Sequence, residues 1–264
     1  MYLIIVMSKM RVVFHKYNMK SLEQYLFEFK TTLRYHSELN PLFWKKEKLD
    51  SKVRNRLLKI AKFWAEFALI PEKAIKDIVL TGGNANYNYT KFSDLDVHLV
   101  VDKKKIADCD AEVLDDFLKD KKTLWGLTHD VKIYDFSVEL YAQDISEKSS
   151  PNQGIFSLLN NKWIRKPVLE EVNFEDPSFA KKVKSWMHKI DDIIANKVDD
   201  TQWLNQLKEQ IRKMRAAGVQ KGGEFSIENL VFKELRNKGY LDKLSKYVLQ
   251  VEDKTFSLKK RGMA

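Results

Sequence analysis

The stretch from Ile78 to Val101 leaves the chain few choices. Two apolar runs, Ile78-Val79-Leu80 and Val97 to Val101, are joined by a loop opening on Thr81-Gly82-Gly83-Asn84, and two acids, Asp94 and Asp96, alternate into the second run. Short apolar runs bounded by glycine and polar turn residues read as strands. Side chains alternate across a strand, so Asp94 and Asp96 face one way while Leu95 and Val97 face a core. Carboxylates held that close repel unless a proton or a cation neutralises them. Mg²⁺ or Mn²⁺ answers that need with hard-oxygen chemistry, and Mg²⁺ usually draws its other ligands from water and substrate phosphates. The Gly82-Gly83 pair adds the complementary feature, because glycine lets backbone amides approach a phosphate closely. A metal beside a phosphate cradle points to nucleotide chemistry. Taken singly, Gly-Gly is a loop and Ser93-Asp94-Leu95-Asp96 a solvated strand start; their order between two apolar runs carries the reading.

In that order the residues resemble the signature of the DNA polymerase β nucleotidyltransferase superfamily: an apolar residue, Gly, then Gly or Ser, about ten loop residues, and Asp-apolar-Asp on the next strand. Here these are Leu80-Thr81-Gly82-Gly83, the loop Asn84 to Ser93, and Asp94-Leu95-Asp96. Gly83 stands where the family very commonly has serine, so a phosphate contact there falls to a backbone amide or to a neighbour such as Asn84. The resemblance implies an NTP-dependent nucleotidyltransferase with a two-metal mechanism. Gly82, Gly83, Asn84 and Ser93 would bind the nucleotide, and Asp94 and Asp96 would bind metal. A third carboxylate on a neighbouring strand would serve as general base and metal ligand. Glu139 fits that place, since the alternation Val138-Glu139-Leu140 turns it away from the core, although the family usually has Asp; Asp135 is the alternative. A looser resemblance, to small predicted nucleotidyltransferases of tailed phages, spans the Asn84-to-Asp96 loop, the Glu139 strand and the Gly223-to-Arg236 region.

The net charge of +10, from 47 basic and 37 acidic residues, favours a polyanionic partner, so an RNA or DNA end is the expected acceptor; a lysine-rich solvated surface is the bland alternative. A protein, a small molecule or a second nucleotide as acceptor, or a non-catalytic nucleotide-binding module, are the competing readings. With 44% hydrophobic and 12% aromatic residues the chain is expected to be globular. Its single cysteine, Cys109, excludes an internal disulfide framework and a multi-cysteine zinc site, and fits a reducing cytoplasm. Met1 to Met7 lacks a basic start and is too short to span a bilayer, so it reads as a strand or a disordered start, with no membrane role.

The expected fold is α+β: a short mixed sheet backed by helices in a core over 1–170, then an all-helical domain over 171–264, with the active cleft between them. Apolar spacing predicts helices from Ser21 to about His36, from about Asp50 or Ser51 to Leu69, and from Asp110 to Leu118. Strands are expected at Asp77 to Leu80, Asp94 to Val101, Val131 to Tyr134 and Phe136 to Ala142. Further helices are expected from Asp176-Pro177 to about Asn196, from about Asp200 to Ala217 with Gly218 as its stop, from Ser226 to near Gly239, and from Leu241 to Val251. The third of these last four sets Asn229, Lys233 and Arg236 on one face, either to hold a triphosphate or nucleic-acid backbone or as a solvated face. The block Lys162 to Lys166 offers basic groups for the cleft edge, and Trp163 reads as core. His98 shares the face of the two aspartates as a candidate partner to them, while the other histidines form no metal-spaced pair.

Overall fold

The computed structural model describes residues 29–149, 152–169, 173, 174 and 176–258. The expected start at Met1 to Met7 and the first part of the helix expected from Ser21, residues 21–28, lie outside them. A two-stranded hairpin, β1 (Trp44–Lys45) and β2 (Lys48–Leu49), precedes α1 (Ser51–Phe67). Asp50 caps that helix by accepting from the Lys52 and Val53 amides at 2.8 and 3.3 Å, satisfying two of its free N–H groups. Its buried stripe of Val53, Leu57, Ala61, Trp64 and Ala65 belongs to the core cluster that also takes in Ile78, Leu80, Leu95, Val97 and Leu99.

The chain then runs through β3 (Ile75–Thr81), β4 (Leu95–Val101), α2 (Ala111–Thr128), β5 (Lys132–Ile133), β6 (Phe136–Asp144), β7 (Ile155–Ser157) and β8 (Lys162–Arg165). The strands form a six-stranded mixed sheet in the order β5-β6-β4-β3-β7-β8. β4 and β6 pair parallel and every other pairing in the sheet is antiparallel. A parallel pair needs a long crossover, and α2 supplies it. Trp163, on β8, stacks on Trp44 with ring centroids 4.7 Å apart and donates its indole N–H to the Glu47 carbonyl.

Toward the C-terminus come α3 (Pro177–Ala195), α4 (Thr201–Gly222), α5 (Ile227–Asn237) and α6 (Tyr240–Phe256). Ile190, Ile193, Leu204, Leu207, Ile211, Leu244, Val248 and Val251 form a second core cluster among them. The chain divides into two compact units, one within 33–172 together with 218–226, the other taking the described residues of 29–32, 173–217 and 227–258.

Four expectations on elements are corrected. Residues 29–36 are not helical. Their polar groups bond across the chain instead: Thr32 donates its amide and hydroxyl to the Glu234 carboxylate, and the His36 amide donates to the Tyr87 carbonyl at 2.7 Å. Glu234 is fully buried and accepts from Thr31 as well, with Lys238 at 3.3 Å, which offsets the cost of burying its charge. α2 continues ten residues past Leu118, because Trp125 extends the buried stripe of Leu114 and Leu118 by two more turns. α4 runs through Gly218, which is buried, and the left-handed backbone that ends a helix appears only at Gly223, with φ of 70°. α6 extends to Phe256 rather than ending at Val251.

Candidate active site

The carboxylates sit at the entrance to the parallel pair. Asp96 lies on β4 between Thr81 of β3 and Glu139 of β6, its direct partners in the two ladders. The burial of β4 alternates, with Leu95, Val97 and Leu99 fully buried and Asp96 and His98 half-buried on the opposite face. In register, Glu139 therefore shares the Asp96 face, as Val138 and Leu140 share that of the core. Asp94 precedes β4 and lines a cavity of about 340 Å³ together with Glu139, Ser137 and, from α2, Lys122, Trp125 and Gly126. Asp135 is not on this face. It sits with Tyr134, whose φ is 51°, in the two-residue turn joining β5 to β6, so the two runs are a hairpin and not one unbroken strand.

The backbone meets Asp96 at Gly82, which takes φ of 71° and ψ of −163°, a conformation open essentially to glycine alone. A Cβ added there would lie 1.6 Å from Asp96 Oδ2, so the missing side chain is what makes room for the carboxylate. At Gly83 an added Cβ would lie 2.9 Å from the Ser93 hydroxyl, which in turn accepts from the Thr90 amide at 2.9 Å. Gly82, Gly83, Ser93, Asp94 and Asp96 thus lie close together around the loop.

Asn84 departs from the expectation that it would reach a phosphate. It is fully buried, its amide donating to the Asp94 carbonyl at 2.9 Å and its side-chain oxygen accepting from Asn40, so its polar atoms are spent in the interior. Asn86 does similar work, donating to the Gly82 carbonyl at 2.7 Å and accepting from the Gly154 amide at 2.9 Å. The two asparagines brace the loop from inside and so set where Asp94 and Gly82 stand.

His98 points to a different neighbour from the one expected. Its Nδ1 lies 2.9 Å from Gln143 Oε1, and burial pushes its pKa below the ordinary 6.5. Next to it Tyr141 donates to Glu147 at 3.1 Å, and burial followed by the Glu147 charge raises its phenol to about 12. Of the basic block, Arg165 donates to the Gln153 carbonyl and Lys166 pairs with Glu47. Asn229, Lys233 and Arg236 belong to the helical unit, not to the unit of the carboxylates. Asn229 is buried there and accepts from Arg215, while Arg236 is exposed.

Sequence reasoning missed Lys122, whose ammonium forms an ion pair with Glu139 and lies 5.5 Å from the centre of the Tyr141 ring. Lys119 to Lys122 reads as a charged run beyond a helix end; carrying the Leu114-Leu118 spacing on to Trp125 would have put Lys122 on the same stripe.

Neither protein-family models nor curated proteins match this chain. Among solved structures it is similar to the STING-associated CdnE c-di-GMP synthase of Capnocytophaga granulosa, at 12% identity and a TM-score of 0.20, over 94% of this chain and 92% of that one.

Among the described residues no group of three or more His, Cys, Asp and Glu side chains is arranged to hold a metal ion. The donor chemistry of Asp94 and Asp96 nevertheless suits a hard divalent cation, and Gly82 leaves room for the Asp96 carboxylate. Glu139, at matched register, has Lys122 as its partner.

Proposed function

We propose that the protein is a metal-dependent nucleotidyltransferase with a polymerase-β-like core, moving a nucleoside monophosphate from an NTP to a hydroxyl acceptor. The observation that carries this reading is the placement of Asp96, set between the glycine turn on one strand and Glu139 on the next. Asp94 and Asp96 would hold Mg²⁺ or Mn²⁺. Such an ion neutralises triphosphate charge and favours a deprotonated acceptor. The amides near Gly82 and Gly83, with the Ser93 hydroxyl, would meet the phosphates, and the same loop would orient the α-phosphorus. Glu139 would take the proton of the acceptor hydroxyl as its oxygen bonds to phosphorus and pyrophosphate leaves. The charge of +10 supports an RNA or DNA end as the acceptor.

Incubating each labelled NTP with Mg²⁺ and RNA, DNA, a protein mixture or no acceptor tests the reading. Transfer to a nucleic-acid 3′ end is expected. Asp94→Ala and Asp96→Ala should each abolish it with the circular dichroism spectrum unchanged, and wild-type rates in either variant would remove these residues from the site.

A further inference from the structure

Lys122 occupies an unusual place for a lysine. Leu118 precedes it by four residues and Trp125 follows it by three, so it lies on the stripe by which α2 meets the sheet. The neighbouring lysines go elsewhere: Lys119 pairs with Asp116, and Lys121 lies over the rings of Phe67 and Phe117. Lys122 alone of the three is carried to Glu139, into the cavity that Asp94 also lines.

We propose that Lys122 is the second cation of this carboxylate cluster, so that the site takes one divalent ion, at Asp94 and Asp96, and Lys122 supplies the remaining positive charge at Glu139. The proposal rests on the nucleotidyl-transfer reading of the cluster. Its physical basis is like-charge repulsion: a fixed ammonium on Glu139 opposes a divalent ion at the same carboxylate by about tenfold or more in affinity, even with water-like screening. Lys122 is thus a positioning residue, holding the charge and direction of Glu139.

The test is Mn²⁺ binding to the full chain, with free Mn²⁺ followed by electron paramagnetic resonance and no turnover required. Wild type should bind one Mn²⁺ per chain in this cluster, lost in Asp96→Asn. Lys122→Met should gain a second ion, which is lost again when Glu139→Gln is added, while Lys122→Arg keeps one. Thermal denaturation of each variant, with a midpoint near that of wild type, shows that the count comes from a folded chain. Two ions of similar affinity in wild type, no ion in wild type, or one ion still in Lys122→Met would each overturn the proposal. The two failures separate cleanly. A chain that behaves as expected toward Mn²⁺ but transfers no nucleotide sinks the transferase reading and keeps the Lys122 assignment, whereas an active wild type holding two ions does the reverse.

Discussion

At the scale of single residues, Gly82 and Glu139 are constrained in opposite ways. Gly82 is held by geometry: its positive φ and the 1.6 Å approach of an added Cβ to Asp96 Oδ2 mean that Gly82→Ala must strain the backbone and drive the carboxylate aside. A residue forced into such a conformation costs about 1–3 kcal/mol. Gly82→Ala should lose stability of that order in urea denaturation and bind Mn²⁺ more weakly; a variant matching wild type in both would show that the loop gives way freely. Glu139 is held by an exposed ion pair, and such pairs are worth about 0–1 kcal/mol. Glu139→Gln should therefore leave the thermal midpoint nearly unchanged while transfer falls about 10²–10⁴-fold, the usual worth of a positioned base. A large loss of stability with normal turnover would make Glu139 a structural residue.

At the scale of elements, α2 places more of the site than its charged surface suggests. Its buried residues Leu114, Leu118 and Trp125 fix the face that carries Lys122 across β6. Gly126 sits in its last turns with open space where a Cβ would stand, so nothing in the packing calls for glycine there. Glycine inside a helix costs up to about 1 kcal/mol relative to alanine, and Gly126→Ala should raise the denaturation midpoint by a few degrees. A lowered midpoint would mean that the helix is bent or packed at that point. The loop between β3 and β4 shows the opposite economy. It has one short 3₁₀ turn, Gly83–Ala85, and its shape is set by the buried amides of Asn84 and Asn86.

At the scale of the whole molecule, pH exposes the buried groups. Burial lowers the pKa of His98, so as pH falls below about 6.5 the unfolded chain takes up a proton that the folded chain refuses. Stability should be level above pH 7 and decline from about 6.5 down to the folded-state value, with His98→Gln removing that step in denaturation midpoints measured from pH 7.5 to 5. An unchanged pH profile in the variant would place the step on another group. Asp176, held low by its bonds from Ser178, and Asp50, held low by the Val53 and Lys52 amides, lose their contribution only as pH falls below about 3.8, outside this window. Much of this architecture was legible in the sequence because it depends on local chemistry. The strand pair around the loop follows from apolar runs and glycine, α1 and α3 from Asp caps and apolar spacing, and the shared face of Asp96 and Glu139 from strand parity. Contacts between distant residues were not legible, because spacing along a chain carries no record of what faces what. Only folding could spend Asn84 on Asn40 and the Asp94 carbonyl, draw Thr31 and Thr32 out of a helix toward Glu234, and carry Lys122 to a strand seventeen residues away. The contacts of Asn84 and Glu234 are decided by the need to satisfy a polar group removed from water, and the partner that does so is chosen by the tertiary structure.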